Sequence, residues 1–206
     1  MRGHAATAVA ATIAGAFSWA MQSGAPEIQF VDDVARAGLA FVLRNHATLE
    51  KHQVEAMPAG VAVFDFDNDG FEDLYFVNGA GVPGLAKNGP PDWNRLYRNQ
   101  GDRTFRDVTE RAGVQGAGYS MGVAAADFNN DGWPDLFVAG VNRNMLFHNK
   151  RDGTFEDVTV RSRLESVTVK PWSISAAWLD YNNDGLLDLF VVNYCKWDPG
   201  KEPYCG

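Results

Sequence analysis

Short apolar runs separated by turn residues recur along most of this chain. Examples are VAVF at 61–64, LYFV at 74–77, LFVA at 136–139 and LFVV at 189–192. Runs of about four to six residues are typical of β-strands and too short for helices. Gly, Asp and Asn residues bound the runs, as expected for tight connections. The pattern therefore predicts an all-β protein.

Two sequence elements repeat in register. The first contains an Asp-rich segment and occurs at 60–79, 122–141 and 175–194, whereas the second occurs at 94–114 and 144–164. One repeat holds a strand, an Asp-rich loop, a second strand, an LYRN- or LFHN-type strand and a TFRDV- or TFEDV-type strand. Four strands in succession are the content of one propeller blade. We therefore predict a partial β-propeller of four-stranded antiparallel blades.

The repeats divide the chain into five segments. We predict a signal peptide at 1–20, an N-terminal segment with the closing strand of one blade at 21–58, complete blades at 59–114 and 115–164, and the first half of a blade at 165–206. The closing strand is predicted because the start of the second segment resembles the TFRDVTERAG part of the repeat. A propeller needs about 4–8 blades to close, so the chain is expected to be an N-terminal fragment.

The N-terminus has the pattern of an export signal. Arg2 precedes an uncharged apolar stretch at 5–17, and Ser18 and Ala20 are small residues suited to cleavage. The alternative is an uncleaved anchor. We expect a protein that is secreted, extracellular, or located in the periplasm or at the cell surface, without stable membrane insertion after cleavage.

Each Asp-rich loop has the pattern D-x-D/N-x-D-G-x-x-D. Calcium takes about 6–8 oxygen ligands. Carboxylates or amides at positions 1, 3 and 5, a backbone carbonyl at position 7 and an Asp at position 9 would provide them, and Gly at position 6 lets the backbone reverse. We predict about three Ca²⁺ sites. Their ligands are Asp65, Asp67, Asp69, Phe71 and Asp73 in loop 1, Asp127, Asn129, Asp131, Trp133 and Asp135 in loop 2, and Asp180, Asn182, Asp184, Leu186 and Asp188 in loop 3.

Other cation sites fit the loops less well. An EF-hand has Glu at position 12, but Phe76, Val138 and Val191 occupy that position here. Zinc prefers His or Cys, which the loops lack, and magnesium prefers a tighter octahedral shell. The alternative is that the loops are ordinary Asx turns with solvated acids.

The acidity of the chain is local. The formal net charge is -8, and ten aspartates of the 26 acidic residues lie in the three loops. Like charges at such spacing repel one another, so we expect the loops to be uncompensated without a bound cation. No basic patch with interleaved aromatic residues occurs, so binding to nucleic acid is not expected.

In these motifs the chain resembles the FG-GAP/VCBS repeat family, whose integrin alpha-like blades carry calcium loops between their first two strands. More narrowly, it is similar to the cartilage acidic protein-like (ASPIC/UnbV-associated) family. The resemblance implies a roughly seven-bladed propeller, export and calcium binding at the loop residues. Asn129 and Asn182 depart from the all-Asp pattern but can still ligate through their amide oxygens. The family has no uniform activity.

One enzyme motif has a better structural explanation. Gly118–Gly122 reads G-x-S-x-G, the nucleophile-elbow pattern with Ser120 at its centre. That motif needs a helix after it, whereas a predicted strand follows here. We assign Trp133, Trp172 and Trp178 to packing between blades.

The predicted function is therefore a calcium-binding module for binding or adhesion, with a protein or glycan partner on an exposed propeller face. The alternative is a scaffold for a carbohydrate-active or other hydrolytic enzyme whose catalytic part lies beyond residue 206. Cys195 could pair with Cys205 or with a cysteine further along. The roles of His46 and His52 are open.

Overall fold

The fold is described from a computed structural model of the chain. It describes residues 28–56, 59–164 and 170–202. The predicted signal peptide at 1–20 lies outside these residues.

The chain divides into two units, residues 1–32 and residues 33–206. In the first unit, residues 28–32 are exposed and form neither helix nor strand. The closing strand predicted in the N-terminal segment is thus not formed there. A three-residue strand such as the one that ends each blade depends on hydrogen bonds to a partner strand, and sequence similarity alone does not provide one.

Three antiparallel sheets follow one another along the second unit, each with its strands in sequence order. The first and second sheets have four strands and the third has two, which confirms the predicted partial propeller of four-stranded blades. The strands are β1 (Val61–Phe64), β2 (Asp73–Phe76), β3 (Arg95–Asn99) and β4 (Phe105–Asp107) in blade 1, β5 (Ser120–Ala126), β6 (Asp135–Gly140), β7 (Met145–Asn149) and β8 (Phe155–Asp157) in blade 2, and β9 (Pro171–Leu179) and β10 (Asp188–Lys196) in the half-blade.

The register places every Asp-rich loop at the same end of its hairpin. In each case the first paired residue after the turn is the Asp at position 9, which opens the second strand. The terminal pairs are Phe64↔Asp73, Ala126↔Asp135 and Leu179↔Asp188. The three loops therefore share one position relative to their sheets.

Blade 2 is buried on both of its faces because β6 alternates between two hydrophobic clusters. Leu136 and Val138 belong to the cluster shared with blade 1, whereas Phe137 and Ala139 belong to the cluster shared with the half-blade. Successive side chains of a strand point to opposite faces of the sheet, so one continuous apolar run holds three sheets together. Trp178 adds to the second contact by stacking on Phe128.

The outer faces of blade 1 and of the half-blade are less covered. Val61 and Val63 in β1 are 53% and 59% exposed, and Phe190 in β10 is 62% exposed. These positions alternate with buried or half-buried neighbours along the same strands.

Short helical turns, which the sequence analysis did not predict, lie beside the blades. Helix α1 (Val34–Ala37) ends at Gly38 and helix α2 (Thr109–Ala112) ends at Gly113, both glycines being left-handed. Gly commonly ends helices in this way because it adopts positive φ without strain. Two 3₁₀ helices span Gln53–Ala56 and Pro90–Asp92.

The insertion at 79–90, between β2 and β3, is fixed by a buried lysine. The Lys87 ammonium donates to the backbone carbonyls of Asn78 (2.9 Å), Gly79 (3.0 Å) and Asp92 (2.7 Å). Burial lowers the pKa of Lys87 to about 7. The Gly- and Pro-rich segment is thus tied to the end of the sheet opposite the Asp-rich loops.

Within the described part of the chain, every helix is too short or too polar to cross a membrane.

Candidate metal centre

Loop 1, residues 65–73, is folded around the carboxylate of Asp65. Its two oxygens accept hydrogen bonds from the backbone N–H groups of Asp69 (3.1 Å) and Gly70 (2.8 Å), and Asp69 accepts the N–H of Phe71 (3.0 Å). Gly70 has φ 88°, which a residue with a Cβ rarely adopts. The loop is therefore closed around positions 1 and 5.

Asp73, at position 9 of loop 1, is completely buried. Its carboxylate accepts the backbone N–H groups of Phe66 (3.0 Å) and of Asn99 in β3 (2.7 Å). Burial raises the pKa of Asp73 to about 6 against these hydrogen bonds, and the carboxylates of Asp67 and Asp69 add to the rise. A raised pKa means that the charged form lacks compensation, so a cation beside Asp73 would be stabilising.

Three carboxylates of loop 1 come together at the spacing of a metal site. Ligand oxygens of Asp65, Asp67 and Asp73 lie within 4.8 Å of one another. Calcium–oxygen distances of about 2.3–2.6 Å place two opposite ligands about 4.6–5.2 Å apart. Asp67 Oδ1 is buried and has no hydrogen-bond partner among the described residues. This Asp-rich group could hold a metal ion.

Loop 1 is not wholly uncompensated, however, because one arginine reaches two of its four aspartates. Arg98 in β3 pairs through Nε with Asp67 Oδ2 and through Nη2 with Asp69 Oδ2, the latter at 2.6 Å. The single positive charge of the guanidinium is thus shared between two of the carboxylates that the sequence assigns to a cation.

Loop 2 repeats the backbone of loop 1. Asp127 accepts the N–H groups of Asp131 (2.9 Å) and Gly132 (2.6 Å), and Asp131 accepts the N–H of Trp133 (3.0 Å). The Asn129 side-chain oxygen also accepts the N–H of Asp131, at 3.0 Å. The substitution of Asn at position 3 is therefore accommodated by the same turn.

Two basic side chains reach loop 2. Arg151 pairs with Asp131 at 3.0 Å, and His148, which takes the place of Arg98, lies 3.0 Å from Asp135. Asp135 is buried, and burial raises its pKa although the N–H of Asn149 (2.7 Å) and His148 oppose the rise. Loop 2 is thus also compensated in part, by Arg151.

Loop 3 forms the same turn as loops 1 and 2, but its position-9 aspartate is exposed and not buried. Asp180 accepts the N–H groups of Asp184 (3.1 Å) and Gly185 (2.9 Å), and Asp184 accepts the N–H of Leu186 (2.8 Å). Asn182 Nδ2 donates to Asp184 Oδ2 at 2.9 Å. Asp188 is exposed and accepts the N–H of Tyr181, and within residues 170–202 it has no third-strand amide of the kind that Asn99 and Asn149 supply.

The repeats that carry these loops match a known family. The profile of the FG-GAP-like repeat matches residues 65–138 and 127–191, which together span most of the described propeller segment. The chain belongs to the FG-GAP-like repeat family. Each of the two FG-GAP matches starts at position 1 of an Asp-rich loop and ends in the second strand of the next hairpin.

One curated relative is similar in sequence over a longer stretch. Cartilage acidic protein 1 of Xenopus tropicalis is 29% identical over 146 residues, covering 68% of this chain and 20% of its own length. The chain thus spans about one fifth of the relative that it matches.

The structure gives the positions of the backbone and asparagine ligands that the sequence predicts, but not their binding to an ion. Phe71, Trp133 and Leu186 occupy position 7 of their loops, where each N–H is held by the Asp at position 5. That their carbonyls ligate an ion stays a prediction. The amide oxygens of Asn129 and Asn182 are in hydrogen bonds to the loop backbone.

Arg98 gives a direct test of the competition between guanidinium and cation. We expect Arg98→Met to strengthen calcium binding at loop 1 by several-fold, because the ion no longer displaces an ion pair. The loss of stability in chelator should be small, about 1 kcal/mol or less per exposed pair. Arg161→Met is the matched control, since it removes the same charge from an exposed pair with Glu156. Equal calcium affinities of the two variants, measured by calorimetry, would contradict the competition.

The unexplained histidines lie in separate carboxylate pairs. His46 Nε2 is 2.9 Å from Asp92, and His52 Nδ1 is 2.9 Å from Glu202. Trp197 donates to the same Glu202 at 2.8 Å. These contacts connect the segment before blade 1 with the insertion and with the residues after β10, so both histidines have structural partners.

The G-x-S-x-G segment has a packing role in the structure. Ser120 is 1% exposed and begins strand β5, which continues without a helix. A Cβ on Gly122 would lie 2.4 Å from the carbonyl oxygen of Ile174 in β9. Gly122 is therefore required by the close approach of the inner strands of two blades.

The cysteine question stays open. Cys195 is an exposed free thiol in β10, and Cys205 lies outside the described residues.

Proposed function

We propose that this chain is part of a secreted, calcium-stabilised propeller that acts as a binding or adhesion module. The three Asp-rich loops carry the proposal, because each is already folded into one turn with the Asp at position 1 accepting two backbone N–H groups. In loop 1 three carboxylates converge, and one of their oxygens has no partner.

The chemistry of the donors favours calcium. All assigned ligands in the loops are oxygen atoms, and hard cations prefer oxygen. Oxygens that lie within 4.8 Å of one another can reach one calcium ion, whereas magnesium demands a near-ideal octahedron and keeps several waters, which an all-protein loop suits less well. We propose about three sites, one in each loop, with the position-9 Asp as the ligand at the base of each hairpin.

A cavity at the opposite end of the sheets supports a role in binding. It has a volume of about 670 Å³ and is lined by residues of the β2–β3, β4–β5 and β6–β7 connections. Arg143 and Lys170 supply positive charge, Trp93 and Trp197 supply aromatic surface, and no acidic side chain lines it among the described residues. We propose this end of the propeller as the partner face, for a protein or glycan that presents acidic groups.

The proposed location rests on the N-terminal sequence. Arg2 and the apolar stretch at 5–17 form an export signal. N-terminal sequencing of the exported protein should begin near Met21, and a membrane-bound product that retains Met1 would contradict the proposal.

Hydrogen exchange tests the calcium part of the function at residue level. Calcium should slow the exchange of the backbone amides at 69–71, 131–133 and 184–186, because these amides close the turns that the ion would fix. The amides of Ala112 and Gly113, which are hydrogen-bonded at the end of helix α2, serve as an internal control, since they belong to no Asp-rich loop and donate to none. Unchanged exchange in all three loops at saturating calcium would contradict the proposal.

A further inference from the structure

The asparagines at position 4 of loops 1 and 2 each reach across to the next sheet. Asn68 Nδ2 donates to the backbone carbonyl of Gly132 in loop 2 at 2.9 Å, and Asn130 Nδ2 donates to the carbonyl of Gly185 in loop 3 at 2.7 Å. Asn68 and Asn130 have φ of 54° and 57°, the left-handed conformation that Asn tolerates. The same contact thus occurs twice, between equivalent positions.

A second, buried connection joins the position-9 carboxylates of loops 1 and 2. Asp73 accepts the N–H of Phe66, and the carbonyl of Phe66 accepts Asn149 Nδ2 at 2.8 Å. The backbone N–H of Asn149 in turn donates to Asp135 at 2.7 Å. Two successive predicted ligands are therefore linked by three consecutive hydrogen bonds across the blade boundary.

These contacts place the acceptors beside the predicted ion ligands. Gly132 precedes Trp133, whose carbonyl is assigned to the ion of loop 2, and Gly185 precedes Leu186 in the same way. An ion that fixes loop 1 would fix Asn68, and Asn68 would restrict the carbonyl of Gly132. Loop 2 would then lose less conformational freedom when it binds its own ion, which makes the second binding step more favourable.

We propose that the position-4 asparagines are positioning residues that couple neighbouring calcium loops, so that an ion in one loop raises the affinity of the next. This inference rests on the proposed function. Coupling free energies between sites typically change affinity by about 5–150-fold, and we expect about the lower end from single hydrogen bonds at an exposed position.

The chain offers a site-specific probe and a matched control. Loop 2 alone has tryptophan at position 7, so terbium emission sensitised by Trp133 reports that loop, and Trp133→Phe identifies this part of the signal. Asn68→Gly removes the amide but keeps the left-handed backbone. Asn183→Gly makes the same change at position 4 of loop 3, where φ is 59° and no partner is found among the described residues.

The experiment is a terbium titration of the whole chain in a double-mutant cycle. Asp69→Ala, which disables loop 1, and Asn68→Gly should each weaken terbium binding at loop 2 by about fivefold. The double variant should bind terbium at loop 2 no more weakly than either single variant. Asn183→Gly should bind terbium at loop 2 with the affinity of the parent protein. Asn130→Gly, which breaks the contact with loop 3, should also weaken loop 2 and provides the test if Asn68→Gly does not fold.

The possible failures are distinguishable. Terbium binding by the parent with an unchanged affinity in Asn68→Gly and Asn130→Gly would overturn the coupling and leave the calcium sites standing. If the losses of terbium affinity from Asp69→Ala and Asn68→Gly add in the double variant, that result would also overturn the coupling. No terbium emission from the parent would overturn both the coupling and the proposed sites.

Discussion

Calcium is expected to raise the free energy of unfolding of this protein by several kcal/mol. Binding to the folded state alone stabilises it by mass action, by about 1.4–2.7 kcal/mol per site at 10–100 times the Kd. About 10 mM calcium reaches that range for the Kd of typical extracellular modules. Three sites would together contribute about 4–8 kcal/mol, which corresponds to a rise in Tm of about 10 °C or more. The rise in Tm is measured by comparing thermal unfolding in calcium with thermal unfolding in chelator.

Variants in each loop should separate the contributions of the three sites to the calcium-dependent rise in Tm. Asp69→Ala, Asp131→Ala and Asp184→Ala should each remove part of the calcium-dependent rise in Tm, because each deletes the position-5 side chain of one loop. Magnesium should restore little of it, since it demands a near-ideal octahedron and keeps several waters. An equal Tm in calcium and chelator would contradict the expectation.

Phe137→Ala is expected to be the most destabilising simple substitution between blade 2 and the half-blade. Phe137 is fully buried in the cluster that joins the two sheets, which also includes Val158 of blade 2 and has Trp178 and Leu189 of the half-blade packed against it. Truncation of a buried Phe costs about 3–5 kcal/mol through lost transfer free energy and the cavity that remains. Denaturant unfolding in chelator should show the loss.

Phe190→Ala is the matched control for this prediction. It deletes the same atoms from β10, where the side chain is 62% exposed, so its effect on the free energy of unfolding should be a small fraction of that of Phe137→Ala. Equal losses from the two variants would contradict the assignment of Phe137 to the interface between blades.

The repeats, the strands and the positions of the loops could be predicted because their determinants are local. Alternating apolar residues fix which residues pair in a hairpin, and Gly70, Gly132 and Gly185 mark the reversal of each loop. The position-9 Asp could be predicted from the aligned repeats as well. In the structure this residue opens the second strand of every hairpin.

The electrostatic surroundings of the loops could not be predicted in this way. Arg98 lies 31 residues from Asp67 in sequence, and its pairing depends on how β3 packs beside the first hairpin. In blade 2 Arg151 pairs with Asp131 from another repeat position, and His148, at the position equivalent to Arg98, lies beside Asp135. A count of carboxylates within each loop therefore overestimated their repulsion.

The contacts between blades were missed for a related reason. The amide of Asn68 meets Gly132 only because two loops lie side by side in adjacent blades, which no pattern within one repeat encodes. The absent strand at 30–32 shows the converse, since similarity to β4 does not supply the partner strand on which β4 depends.

Isothermal titration of the chelator-treated protein with calcium tests the central claim most directly. The account predicts about three ions bound per chain, and one fewer in each of Asp69→Ala, Asp131→Ala and Asp184→Ala. The same titration with magnesium should give little heat. A parent protein that binds no calcium at millimolar concentration, or one whose stoichiometry is unchanged in all three variants, would contradict the assignment of the Asp-rich loops as calcium sites.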